Sequence, residues 1–172
     1  MPLGLKRYQH EGHLHFITFS CYQRLPFLSD DGVKKVFIDR LEELRWRHAF
    51  RITGYVLMPE HVHILISEPN IGNLASTLRV LKGETSRRLK DGRKQFWQRR
   101  YHDFNVFTEE KRIEKLRYMH RNPVARRLVE RPEDYRWSSF LHYSTGEPGP
   151  VEIDSKWTAG WKERSTRSQL TD

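Results

Sequence analysis

Three observations in the sequence predict an α+β fold with an antiparallel sheet. Short runs of aromatic and β-branched residues recur along the chain, stretches with apolar residues three to four apart separate them, and two of the runs are only a hairpin turn apart. With 172 residues there is room for one domain with a proper core, and too little chain for two of ordinary size.

The first run, His13 to Tyr22, holds Leu14, Phe16, Ile17, Thr18, Phe19 and Cys21 and reads as a strand. Ser29-Asp30-Asp31 then offers an N-cap, and Val33, Val36, Phe37, Leu41 and Leu44 mark an amphipathic helix to about His48. Phe50 to Leu57 and Val62 to Ser67 read as two strands joined by Met58-Pro59-Glu60-His61, because Pro59 fits only in a connection. After Asn70-Ile71-Gly72-Asn73, Leu74, Leu78 and Leu81 begin a second helix that reaches about Lys90 and ends at Asp91-Gly92. The aromatic, basic stretch from Phe96 to Phe107 ends as a fourth strand. Thr108-Glu109-Glu110 caps a last helix from about Glu109 to Arg121, stopped by Asn122-Pro123. The order β-α-β-β-α-β is that of a ferredoxin-like sheet with two helices on one face, which leaves the additional C-terminal helix for the other face. Residues 1–143 form the expected domain; residues 144–172 read as a linker and a polar tail around Trp157 and Trp161, to which no chemistry is assigned.

The composition is basic and polar: Lys+Arg 31 against Asp+Glu 22, net charge +9 and mean hydropathy -0.80. A polyanionic partner is expected. The excess is concentrated in two windows, residues 79–100 with nine Lys/Arg against two acids and residues 111–131 with eight against two. A single cysteine, Cys21, reads as a strand residue and excludes an internal disulfide and any cysteine-based zinc cluster. No run approaches the length of a membrane span and the N-terminus lacks the apolar stretch of a signal peptide, so a cytoplasmic protein with no membrane partner is expected.

Within the second hairpin strand, His61 and His63 are two apart and share one face, while Val62, Ile64 and Ile66 suit the helix-covered side. The pair forms half of a metal site, since a site needs at least a third donor. His13 and His15 have the same spacing but nothing in the sequence to complete them, and read as strand-end polar residues. On the last helix Tyr118 and Asn122 lie one turn apart on an arc with Lys111 and Glu114, whereas Ile113, Leu116 and Met119 lie on the opposite side.

These residues resemble the HUH transposases of single-stranded DNA that use one tyrosine, and within them the REP-associated tyrosine transposases. Met58-Pro59-Glu60-His61-Val62-His63 looks like their histidine-hydrophobe-histidine motif, and Leu116-Arg117-Tyr118-Met119-His120-Arg121-Asn122-Pro123-Val124 looks like their tyrosine helix. Phe96 to Asp103 and Tyr135-Arg136-Trp137-Ser138-Ser139 are similar to further signatures, and the likeness spans residues 7 to 143. The resemblance implies a metal-dependent endonuclease and strand transferase of single-stranded DNA, with REP-type hairpins as substrates. Tyr118 would be the catalytic nucleophile that forms a 5'-phosphotyrosine. His61 and His63 would hold a divalent ion, Mg2+ or Mn2+. The third ligand would be Asn122, one turn after the tyrosine; His120 lies about 200° round the helix from Tyr118 and points elsewhere. No nucleotide cofactor is needed, because the phosphodiester energy is kept in the covalent intermediate. The basic windows then suggest DNA-binding residues: Arg87, Arg88, Lys90, Arg93, Lys94, Arg99 and Arg100 for the backbone, Trp97 and Tyr101 for base stacking.

Two other readings compete. A nucleic-acid-binding module on the same fold, without cleavage, shares every feature except the use of Tyr118. A histidine-based phosphoesterase is disfavoured because His61-Val62-His63-Ile64-Leu65 has no third alternating histidine and no paired His-x-Thr/Ser motif appears. Replication initiators and relaxases share the chemistry in larger chains of different order. Monomer and homodimer remain equally open to the sequence.

Overall fold

The computed structural model describes residues 12–156 and Thr158; the N-terminal segment and the tail around Trp157 and Trp161 lie outside the described residues. Four strands, β1 (Leu14–Ser20), β2 (Ile52–Leu57), β3 (His61–Ser67) and β4 (His102–Val106), form one antiparallel sheet in the order β2-β3-β1-β4. That order, with helices α1 (Asp31–His48) and α2 (Leu74–Leu89) between strands, is the expected ferredoxin-like topology. Helix α3 (Glu109–Ala125) follows β4, and a short helix α4 (Phe140–Thr145) comes after it.

Local chemistry explains the boundaries. The Asp30 carboxylate caps α1 by accepting from Val33 N–H, Asn73 and Ser76 form a reciprocal capping box on α2, and Thr108 caps α3 through Lys111 N–H. Pro59 and Glu60 make the hairpin turn, closed by a 2.9 Å bond from Met58 N–H to the His61 carbonyl. Contrary to expectation, α3 does not stop at Asn122-Pro123 but runs through Pro123 to Ala125. Within the last turn a proline removes only one helical hydrogen bond, and its ring is buried here.

Alternation along the strands separates the two faces. Phe19, Ile17, Val62 and Ile64 lie on one face, where Phe19 meets Phe37 of α1 and the Trp97 ring. Phe16, Thr18, His61, His63 and Leu65 lie on the other, under α3. Helix α3 comes close because β2 has no side chain at Gly54: a Cβ there would stand 2.5 Å from Leu116 Cδ2 and 2.9 Å from Met119 Cε. Leu116 and Met119 are buried as expected, but Ile113 is not; it is 39% exposed and lines a groove beside Tyr118. Periodicity placed it on the apolar arc, yet α3 overhangs the sheet at that turn.

The outer edge of β2 is covered rather than open. Leu57 N–H bonds the Trp137 carbonyl at 2.9 Å, Ser139 N–H bonds the Tyr55 carbonyl at 3.0 Å, and Ile153 pairs with Ile52. Thus Val151 and Ile153, from the stretch read as linker and tail, enter the core. Their backbone satisfies strand groups that would otherwise face solvent.

His15, read as a strand-end polar residue, is instead fully buried between two acids. Its Nδ1 is 2.8 Å from Asp103 Oδ1 and its Nε2 is 3.1 Å from Glu68 Oε1. Burial opposes charge on this ring, but the bonds and charges of Asp103 and Glu68 outweigh it and hold its pKa above the ordinary value of 6.5. Stability from this bridge is therefore full below pH 6.5 and is lost as pH rises through the raised value. We expect His15→Ala to lower the unfolding free energy by about 3 kcal/mol at pH 6, and the gap from the unsubstituted protein to narrow at pH 8.5. Urea melts at the two pH values measure both, and a gap independent of pH counts against the bridge.

Candidate active site

His61 and His63 project from β3 on the face under α3, both buried, with their Nε2 atoms 3.0 Å apart. Each ring is fixed by its other nitrogen. His61 Nδ1 donates to Glu60 Oε1 at 3.0 Å, so its Nε2 carries a lone pair. His63 Nδ1 lies 2.7 Å from the Thr18 hydroxyl, which accommodates either tautomer by donating or accepting. Burial, followed by the positive surroundings of His61, Arg24 and Lys115, pushes His63 down to about 3, and burial likewise lowers His61 despite Glu60. Both rings are thus neutral near pH 7, as metal ligands must be.

From α3, the Asn122 side-chain amide reaches within 3.4 Å of His61 Nε2, and the amide is buried. Tyr118, one turn earlier, sets its ring edge-on to His63 at 5.3 Å and to Phe16 at 6.1 Å. It is 54% exposed, at the wall of a groove of about 1150 Å³ lined by the histidines, Asn122, Arg24, Arg121 and Arg126. His120 turns the other way: its Nε2 meets the Ser139 hydroxyl at 2.8 Å, and burial pushes its pKa down to about 4. The choice of Asn122 over His120 as the residue near the histidines agrees with this geometry.

Do these residues fit a divalent ion? Two nitrogens each about 2.1 Å from one ion at a right angle lie about 3.0 Å apart, which is the separation of the two Nε2 atoms. Among the described residues no group of three His, Cys, Asp or Glu converges, and the uncharged side chain that stands beside His61 Nε2 is the Asn122 amide. An Asn amide presents either its nitrogen or its oxygen by rotation, and the oxygen is the ligand. The donor set fits an ion held weakly, with positions open to phosphate oxygens and water.

Four supporting residues, Glu60, Arg126, Arg24 and Thr18, escape the sequence reading. Glu60 bonds His61 while Arg126 Nη2, 2.7 Å away, and Arg24 Nη2, 3.4 Å away, hold its carboxylate from outside. Burial would raise this carboxyl, but His61 and Arg126 outweigh it and keep it below the usual range. Glu60 immediately precedes His61 in the turn, which was the one available signal; Thr18 and Arg126 depend on strand register and helix seating.

The expected DNA contacts divide. Arg87, Arg88, Arg93, Lys94, Arg99 and Arg100 are exposed, with Lys90 half-buried. Trp97 is a correction: its ring packs at 4.9 Å from Phe19 and 4.8 Å from Phe96, and its indole N–H donates to Thr85 Oγ1 at 2.9 Å. A basic, aromatic stretch gives no hint that one ring turns inward. Tyr101 is half-buried against the same core and is not free to stack as expected.

Comparison with known proteins follows the same outline. The family model described as "Transposase IS200 like" matches residues 8–122, from before β1 to Asn122. A solved structure described as a REP-associated tyrosine transposase bound to a REP hairpin superposes with TM-score 0.71 at 20% identity, covering 89% of this chain and 92% of that one. A putative transposase from Deinococcus radiodurans gives TM-score 0.48 at 19% identity, over 69% of this chain and 95% of that one. No curated protein matches.

Since Glu60 orients His61 and raises its basicity, Glu60→Gln is expected to weaken Mn2+ binding about 10- to 100-fold. Calorimetric titration of Mn2+ into the two proteins measures it, and equal affinities would remove Glu60 from the site.

Proposed function

The chain belongs to the IS200-like transposase family, and from that premise we propose that it is a metal-dependent endonuclease and strand transferase of single-stranded DNA, using Tyr118 to form a 5'-phosphotyrosine. One observation carries the reading: α3 brings Tyr118 and Asn122 of the same chain against His61 and His63. Tyr118, Asn122 and both histidines come from a single chain, which supports an active site built in cis in a monomer or a homodimer alike. No described helix is long and apolar enough to cross a membrane; action on DNA supports a cytoplasmic location. The chemistry is assigned to residues 1–143.

Each step then follows from a named group. His61, His63 and Asn122 would hold Mg2+ or Mn2+, which when bound supplies Lewis acidity toward a phosphate oxygen. Arg121 and Arg126, at the groove wall, draw the DNA backbone in and neutralise phosphates. Tyr118 Oη attacks the phosphorus in line and gives up its proton to water. The P–O3' bond breaks, and the 3' oxygen leaves as a hydroxyl on the upstream strand. The downstream strand stays attached through its 5' phosphate. Attack of a 3'-hydroxyl on the phosphotyrosine reverses these bond changes and joins strands, with no nucleotide cofactor. The half-exposed phenol suits this work, because it must meet a large substrate and later release it.

Folded-back hairpins with single-stranded flanks are the proposed substrates, by analogy with the relative whose structure holds a REP hairpin. With a panel of such hairpins and Mn2+, the unsubstituted protein is expected to give a covalent protein–DNA adduct stable in denaturing gels. Tyr118→Phe should abolish the adduct and nicking while changing hairpin affinity less than about threefold. Undiminished nicking by the variant defeats the assignment of Tyr118. Hairpin binding with no adduct from the unsubstituted protein makes it a binding module instead.

A further inference from the structure

Helix α3 packs on β2 and β3, and the face of β4 beyond it carries Phe104, opposite Phe16 of β1. Phe16 is buried, whereas Phe104, in the middle of its strand, is 39% exposed. A single exposed ring needs no explanation by itself. Its neighbours supply one. Lys115 Nζ, from α3, lies 4.3 Å from the centre of the Phe104 ring and 5.1 Å from that of Phe16. Tyr118, three residues further along α3, sets its ring edge-on to the same Phe16. Phe104, Lys115, Phe16 and Tyr118 are therefore contiguous and lead from the exposed face of β4 to the nucleophile.

The charge on Lys115 is little engaged. Glu114 Oε1 stands 3.9 Å away, at the limit of an ion pair, while the other oxygen of that carboxylate takes Lys111 at 2.8 Å. The Lys115 ammonium rests instead over two aromatic rings, a weak hold from which it can turn to a phosphate.

A tyrosine linked to a 5' phosphate holds the first nucleotide of the downstream strand within a nucleotide's length of its own ring. The base of that nucleotide has to lie on a surface next to Tyr118, and the surface toward β4 is an aromatic ring with a cation at its rim. These are the two groups with which proteins hold single strands, a ring for the base and a cation for the backbone. Resting on the transferase reading above, we infer that Phe104 and Lys115 form a seat for the first nucleotide on the 3' side of the cleaved bond, with its base stacked on Phe104 and its backbone phosphate held by Lys115.

The seat serves both halves of the reaction. Before cleavage it fixes the nucleotide whose 5' phosphate Tyr118 attacks, which holds the phosphorus in line with Oη. After cleavage it keeps the covalently held strand in one orientation, so that an incoming 3'-hydroxyl meets phosphorus from the side the first one left. Stacking engages the face of a base and not its edge, so the seat accepts any of the four.

The test removes either side of the stack. The adduct formed by the unsubstituted protein first maps the cleaved bond. Hairpin oligonucleotides then carry either an intact nucleotide or an abasic sugar at the first position on the 3' side of that bond, and adduct formation with Mn2+ is timed in single turnovers. Phe104→Ala is expected to slow the adduct about tenfold on the intact oligonucleotide. On the abasic one the same substitution should slow it less than about twofold, because the stack is already missing. Phe104→Trp, which keeps a ring, should retain the unsubstituted rate. Phe107→Ala, which removes a ring 69% exposed just past the end of β4, should leave the rate unchanged. Lys115→Met should lower by about one the slope of log affinity against log salt, measured by fluorescence anisotropy in EDTA, where no cleavage occurs. Equal losses on the intact and abasic oligonucleotides, no loss from Phe104→Ala, the same loss from Phe107→Ala, or an unchanged salt slope for Lys115→Met overturns the seat, while an observed adduct leaves the transferase reading intact. Absence of any adduct from the unsubstituted protein overturns both.

Discussion

Leu116 Cδ2 and Met119 Cε occupy the space where a Cβ of residue 54 would stand, so with glycine there α3 lies against β2 and β3, over the histidines, without either side chain having to shift. A buried imidazole pair on an open sheet face would be exposed to water and to competing partners. With α3 in place, the pair is roofed by Asn122 and walled by Tyr118, and its charged forms are suppressed by burial. The same seating turns His120 inward to Ser139. Ser139 also accepts from Tyr55 N–H at 3.1 Å, so helix, sheet and the segment that covers the β2 edge are joined at one hydroxyl. Moving α3 would disturb Tyr118, Asn122 and the edge cover together.

Around this seat the charges are sorted by partner. Most acids on the helices are neutralised within their own helix, as in Lys35–Asp39, Arg45–Glu42, Arg112–Glu109 and Lys111–Glu114. Such exposed pairs add little stability. Their effect is to leave the cations near the groove unspent. Glu60, in the turn before β3, is instead shared among His61, Arg24 and Arg126. It tethers two arginines at the mouth of the groove while orienting His61, so positive charge is already in position there.

Much of this was legible in the sequence, for physical reasons that vary with the element. Strand alternation is strict, so His61 and His63 had to share a face, and the valine and isoleucines between and after them fixed which one. Helical period placed Tyr118 beside Asn122 and set His120 apart. The same period misplaced Ile113, because it gives the direction of a side chain without saying where the partner surface ends. Pro123 predicts a stop, yet α3 continues two residues past it to Ala125. His15 looked idle because Asp103 and Glu68 reach it only through the β1–β4 register and the turn after β3. Trp97 and Tyr101 read as surface aromatics since their neighbours are basic; the fold-back that buries Trp97 and half-buries Tyr101 has no local signature. The contacts of Thr18 with His63 and of Arg126 with Glu60 are likewise products of register and helix seating, and only Glu60 is adjacent to a histidine in sequence.

The proposed reaction stands on a single bond, the one between Tyr118 and a DNA 5' phosphate. Mass-spectrometric mapping of the peptide that carries DNA, after reaction of the intact protein with a hairpin and Mn2+ and digestion to peptides, tests it most directly. The predicted result is one modified peptide, bearing a 5'-phosphonucleotide on Tyr118. A nucleotide on any other residue, or a cleaved hairpin with no modified peptide at all, would contradict it.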